Sequence, residues 1–184
     1  MIEVPCLQTK RIALRPLTEA QVASYERHFI DYEVIRHLAS TVPWPYPENG
    51  VSEFIRQKVV PFQGICKWAW GIFLHENQHE LIGVIELWRT GTPENRGFWL
   101  GQRYWGMGLM SEAVSITNDF AFNILKFDEL ILTNAKGNIR SRRIKEKTGA
   151  ILIKVEPAKY VDPLYTEREI WKLTKHCWRQ TNPI

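Results

Sequence analysis

Gly106 and Gly108 stand directly before a helix-forming run in the stretch GQRYWGMGLMSEA, residues 101–113. Glycines in that place let the backbone approach a phosphate with no Cβ in the way, and a helix starting just after adds its positive end. The chemistry this suits is anion binding by backbone N–H groups. The stretch begins like G-x-G-x-x-G, but Ser111 occupies the third glycine position. No acidic residue closing a second strand follows about 20 residues on, which argues against a dinucleotide site. Taken alone, the two glycines fit a plain strand–helix turn equally well.

A second candidate is KGNIRSRRIKEKTGA, residues 136–150, with six basic residues between Lys136 and Lys147. On a helix, Arg140, Arg143 and Lys147 share one face, and Ser141 and Ile144 share another. Most charge runs of this kind are solvated faces. Together with the glycine loop, however, the segment makes two anion-friendly helix starts, which suit a ligand carrying a pyrophosphate and a further phosphate. A third pattern, HENQH at residues 75–79, has the H-E-x-x-H spacing of a zinc hydrolase. That chemistry needs both histidines on one helix face. Here WAWGIFL precedes and LIGVIEL follows, so we read a solvated hairpin turn and expect no metal.

These segments need a scaffold. The 184 residues, 45% hydrophobic and 24% charged with a net charge of +4, fit one domain spanning residues 1–184 with a sizeable core. No apolar run approaches the roughly 20 residues of a membrane span. The start, MIEVPCLQTKR, lacks an apolar signal core, and Cys6, Cys66 and Cys177 form no CxxC pair, so a cytoplasmic protein without a disulfide framework is expected. Alternation predicts a strand over residues 11–17, and Thr18 with Gln21 forms a capping box opening a helix to about Asp31. TVPWPYPENG, residues 41–50, reads as a stiff loop, followed by a short helix over residues 52–59. CKWAWGIFL, ELIGVIELW and RGFWLG read as strands, and residues 110–122 as a helix. DELILTNA is a further strand, then a helix closed by Gly149, then AILIKVE and TEREIWKLT as a strand pair. The pattern is α+β: a mixed, mostly antiparallel sheet flanked by helices.

In this order the residues resemble the GNAT N-acetyltransferase superfamily. RYWGMG, residues 103–108, is similar to its R/Q-x-x-G-x-G/A acetyl-coenzyme A motif. LMSEAV, NIRSRRIKEKTG, TKRIALRPLTEAQ and the VPWPYP loop resemble the RimJ/RimL-type branch, so the likeness covers about residues 9–173. It implies a sheet whose two central strands, GFWL and DELILTNA, splay apart in a V to hold acetyl-coenzyme A. The pantetheine would pair with backbone near Trp99 and Leu100, and Arg103, Tyr104, Trp105, Gly106, Met107, Gly108 and Leu109 would wrap the pyrophosphate. Asn138 would line the cofactor side of the cleft; an N-capping role explains it equally well. Ser141 would lie near the sulfur and bind or protonate the departing thiolate, while many relatives use a tyrosine that residues 138–149 lack.

The implied activity is transfer of an acetyl group to a primary amine by direct attack in a ternary complex. Glu86, alternating with Val84 and Trp88, is the candidate base, directly or through water, with an ion-paired strand glutamate as the plainer alternative. Trp44, Tyr46, Trp68, Trp70 and Trp88 could line the acceptor side or simply fill the core. The acceptor, a protein N-terminus or a small amine, stays open, as does a homodimer; neither membrane nor nucleic acid is an expected partner. Two other classes remain: a catalytically silent acetyl-coenzyme A-binding module, and a nucleic-acid binder using the basic helix.

Overall fold

The computed structural model describes residues 1–90 and 94–182. A five-stranded sheet runs in the order β1 (Leu7–Gln8), β2 (Ile12–Pro16), β3 (Lys67–Leu74), β4 (Asn77–Trp88) and β5 (Arg96–Leu100). The second sheet has β6 (Glu129–Ala135), β7 (Ile151–Pro157) and β8 (Glu167–Thr174), in the order β6-β8-β7. Every ladder between named strands is antiparallel. HENQH lies at the tip of the β3–β4 hairpin, with His75 and Glu76 between the paired Leu74 and Asn77, so the hairpin reading stands and the two histidines share no helix face.

Among the described residues six α-helices cover the sheets: α1 (Val22–Phe29), α2 (Tyr32–Ile35), α3 (Gly50–Phe54), α4 (Leu109–Asp119), α5 (Ile139–Lys147) and α6 (Lys175–Thr181). Three expectations need correction. The capping box of Thr18 and Gln21 forms, but it opens a single 3₁₀ turn before α1, and the helix stops at Phe29. Asp31 instead caps the separate turn α2, its carboxylate accepting from the Glu33 N–H. The helix expected over residues 52–59 begins at Gly50 and loosens into a π turn over Ile55–Val59, and α4 does the same over Phe120–Ile124. The C-terminal helix α6 had no apolar periodicity to announce it. Thr174 caps it, and the Trp178 indole N–H anchors it to Asp119 at 2.8 Å.

β3 and β4 are buried on both faces, which is why they read as nearly continuous apolar runs. One face packs Trp68, Trp70, Ile72, Ile85 and Leu87 under α4. The other packs Ala69, Phe73, Val84 and Trp99 against α1, α2 and α3. Trp68 and Trp70 are therefore core residues, 1% and 0% exposed, and not an acceptor lining. Their indole N–H groups donate to the carbonyls of Ile2 and Pro5, lacing the N-terminal segment across β3. At the opposite margin, β7 is a free edge with Ile151, Ile153 and Val155 exposed, a register shift between Leu152 and Lys154, and Pro157 at its end.

The two sheets are pinned together where β5 and β6 begin. The Asn95 N–H donates to the Ile131 carbonyl at 2.8 Å, and the Ile131 N–H donates to Asn95 Oδ1 at 2.8 Å. Beyond this pin β5 and β6 share no ladder and continue as opposing walls of a cleft. This is the expected splay. The loop at its mouth is braced by the segment before β2. Glu112, in the first turn of α4, accepts from Thr9 Oγ1 and pairs with Arg11, while Arg11 Nη1 donates to the Met107 carbonyl at 2.8 Å. Burial pushes the Glu112 carboxyl up, but the hydrogen bonds from Thr9 and Arg11 outweigh it and hold the group below its ordinary 4.5.

Asn95→Ala leaves the Ile131 N–H without its acceptor, so urea unfolding should show a loss of about 1–3 kcal/mol. Glu112 has a pH signature. A depressed carboxyl stabilises the fold above its unfolded value and loses that contribution as pH falls through the folded value. The thermal stability of wild type should therefore exceed that of Glu112→Gln fully above pH 4.5, with the two converging in acid.

Candidate active site

The space between the sheets is an open cleft of about 730 Å³, within the roughly 300–1,000 Å³ of small-molecule sites. One wall is the unpaired edge of β5. The Trp88 N–H donates to the Asn95 carbonyl at 3.0 Å and the Gly101 N–H to the Ile82 carbonyl at 2.9 Å, which sets the phase of the β4–β5 ladder. Alternation then turns the N–H groups of Phe98 and Leu100 away from β4 and into the splay. The backbone of Trp99 faces β4, and its side chain packs on Tyr25 and Phe29.

At the mouth, Gly106 and Gly108 adopt φ of 77° and 78°, a left-handed conformation that costs other residues about 1–2 kcal/mol. A Cβ on Gly106 would meet nothing within 4 Å, so that backbone lies open to the cleft, whereas one on Gly108 would come 3.3 Å from Arg11. Gly108 caps α4 with no side-chain hydrogen bond, so the first amides of the helix keep their donors available. Arg140, Arg143 and Lys147 of α5 line the same cleft, and the Arg140 guanidinium stacks 3.7 Å from the centre of the Trp105 ring. Backbone donors, an open loop and a basic rim fit a ligand with a pyrophosphate and a further phosphate.

The inner part of the cleft is polar and buried. Asn138 lines it and also caps α5, its Oδ1 accepting from the Ser141 N–H at 3.2 Å. Ser141 is buried and accepts a 2.8 Å hydrogen bond from Lys145 Nζ. Lys145 itself is only 1% exposed. Burial lowers its pKa well below that of ordinary lysines; the neighbouring Arg96 adds to the fall, and Glu169 and Glu94 oppose it. Arg96 is also buried, which pulls its pKa to about 9, and its Nη1 donates to Asn118 Oδ1 at 2.8 Å.

Of the residues singled out from the sequence, Trp88, Trp99, Leu100, Trp105, Gly106, Gly108, Leu109, Asn138 and Ser141 converge on the cleft. Others do not line it. Arg103 reaches away to Glu80 and the Tyr104 hydroxyl, and Met107 is half exposed, contributing its carbonyl to Arg11. Glu86 pairs with Lys67 at 2.8 Å on the α1 side of β4, next to Gly97. Trp44 is exposed against Tyr32, and Tyr46 packs on Phe29. Residues 37–41 after α2 and residues 157–160 from the end of β7 onward complete the lining of the cleft. Within it, burial and the nearby Arg140 and Arg36 lower the pKa of His37, whose Nε2 lies 3.1 Å from the Tyr165 hydroxyl. Neither segment carries a motif, because irregular loops are placed by packing.

The comparisons with known proteins agree with this geometry. An acetyltransferase of Agrobacterium tumefaciens superposes with a TM-score of 0.73 at 24% identity, covering 95% of this chain and 97% of that one. RimL, a ribosomal-protein α-N-acetyltransferase solved in complex with coenzyme A, gives 0.76 at 15% identity over 92% of this chain and 98% of its own. A ribosomal-protein-alanine acetyltransferase of Vibrio fischeri gives 0.75 at 14% identity, covering 95% and 98%. None of the curated proteins matches the sequence. The acetyltransferase (GNAT) domain family matches residues 11–151, most of the chain, and with the splayed sheet and glycine loop in place the chain belongs to the GNAT acetyltransferase family.

Proposed function

We propose that this protein transfers the acetyl group of acetyl-coenzyme A to a primary amine by direct attack, with both substrates bound. The observation that carries the reading is the cleft itself, which joins the outward N–H groups of β5, the open glycine loop and the buried Ser141 in one space. The amides at the start of α4, with Arg140, Arg143 and Lys147, hold the phosphates. The N–H groups of Phe98 and Leu100 run alongside the pantetheine, and that of Leu100 faces the thioester oxygen on which charge develops. Ser141 delivers a proton to the departing thiolate. The domain is the whole chain, and three free cysteines suit a reducing cytoplasm.

The acceptor must attack as a neutral amine. At pH 7 about a tenth of an α-amine is neutral, against roughly one part in 2,500 of a lysine side chain. An α-amine on a protein N-terminus or a small molecule therefore needs little basic help, and Glu86, tied to Lys67 beside Gly97, receives its proton only through water. Two structural neighbours act on ribosomal proteins, which favours a protein N-terminus as the first acceptor to test.

Acetyl-coenzyme A should raise the melting temperature of the native protein, and Gly108→Trp should abolish that rise; no shift in the native protein would sink the assignment. An acetylation screen of N-terminal peptides and small amines, read by mass, should return one acceptor class. Stabilisation by acetyl-coenzyme A with no product from any amine would instead mean a silent binding module. Ser141→Ala should slow thiol release far more than it weakens acetyl-coenzyme A binding, and equal loss of both would make Ser141 a binding residue.

A further inference from the structure

Lys145 is among the largest fully buried side chains, alongside Trp68, Trp70 and Phe122. A methionine or leucine would fill that volume without the desolvation of an ammonium group. It projects from α5 one turn beyond Ser141, and its Nζ donates to the Ser141 hydroxyl, a neutral partner. Charged groups face it from every side. Arg96 comes from β5 and is held by Asn118 of α4; Glu94 precedes β5 and accepts from Thr133 of β6. Glu169 comes from β8, and its two carboxylate oxygens already accept from Asn134 of β6 and Arg142 of α5. The aromatic ring of Phe98 lies 5.7 Å from Nζ.

The direction of the serine–lysine hydrogen bond matters. Because Ser141 Oγ accepts from Lys145, the serine's own proton is left to point elsewhere, and both residues line the cleft. A serine hydroxyl acting alone is a poor acid, since protonating a thiolate would leave an alkoxide. An ammonium behind it removes that difficulty.

We propose that Lys145 is the proton reservoir behind Ser141, so that the two form a relay that protonates the coenzyme A thiolate. As the N–C bond to the amine forms and the C–S bond breaks, the sulfur takes the Ser141 hydroxyl proton. Ser141 Oγ takes one from Lys145 Nζ in the same step. Lys145 then recovers a proton from solvent through the cleft, balancing the one the acceptor nitrogen releases. Lys145 does not touch the substrate; it is a positioning residue that acts through Ser141, and this role rests on reading Ser141 as the proton donor. The depressed pKa of Lys145 is consistent with this, because an ammonium that holds its proton less firmly matches a thiol near 8.5 better than an ordinary lysine does.

Two measurements test the relay. The first is side-chain NMR of isotope-labelled lysine, with the Lys145 signal assigned by its loss in Lys145→Met. In wild type the signal should titrate below the ordinary lysine range and shift when coenzyme A is added, and in Ser141→Ala it should no longer respond to coenzyme A. A Lys145 signal indifferent to coenzyme A in wild type overturns the proposal. The second is the pH dependence of kcat for thiol release, using acetyl-coenzyme A and the amine returned by the screen. Wild type should lose rate at alkaline pH as Lys145 deprotonates. Lys145→Met should lower kcat about 10²-fold, lack the alkaline decline and keep the rise in melting temperature with acetyl-coenzyme A. Lys145→Gln retains a hydrogen bond to Ser141 without a transferable proton and guards against misfolding of the methionine variant; it should behave alike.

The double variant with Ser141→Ala should be no slower than either single one. A slow Ser141→Ala beside Lys145 variants with full rate and an intact alkaline decline would overturn the relay alone. A fast Ser141→Ala would overturn the serine reading and the relay with it. An acetyl mass gain on Ser141 in the absence of amine would replace the relay with covalent catalysis.

Discussion

Asn95 and Ile131 exchange two hydrogen bonds at one end of a pair of strands that otherwise share no ladder, and the functional cleft depends on that pin. A side-chain oxygen accepts the Ile131 N–H that a neighbouring backbone carbonyl would take in a continuous sheet. The strands are thus joined where they start and free to diverge afterwards, and the exposed amides of β5 face the cleft instead of β6. Packing fixes the divergence from both sides. The core under α4 and the core under α1 clamp the five-stranded sheet, while β8 holds β6. A cleft made this way has backbone donors set in advance, which is the kind of preorganisation that acyl transfer needs.

The buried charges around α5 form the other half of the design. Arg96, Lys145 and Glu169 are each at most 5% exposed, a combination that costs stability unless hydrogen bonds or function offset it. Glu169 is well satisfied by Asn134 and Arg142. Among the described residues, Arg96 Nη1 donates to Asn118 and Nη2 has no hydrogen-bond partner. The polar burden therefore falls on the side where β5 and α5 face each other, which is also the side that lines the cleft.

Much of this was legible in the residues. The glycine pair before α4, the asparagine cap and Ser141 on α5, and the β3–β4 hairpin around HENQH all follow from local rules of turn, cap and period. The departures come from tertiary competition. Asp31 was a good helix cap, and it split one expected helix into two. Trp68 and Trp70 alternate like a lined groove, yet they face the core because β3 is buried on both faces. Lys145 was hidden by its company. Among six basic residues it read as one more solvated charge, although it stands four residues after Ser141 and one after Ile144, on the face already marked as different. Residues 37–41 and 157–160 left no local trace, since only packing brings them to the cleft.

The free edge of β7 governs how the molecule behaves in a crowd. Its exposed Ile151, Ile153 and Val155, with unpaired backbone groups beside them, would ordinarily invite another chain to add a strand. The register shift at Leu152 and Lys154 bends the edge, Lys154 places a charge among the apolar side chains, and Pro157 ends it with a residue that has no N–H. Sheet growth is interrupted within seven residues, so the same strand whose end lines the cleft also resists edge-to-edge association.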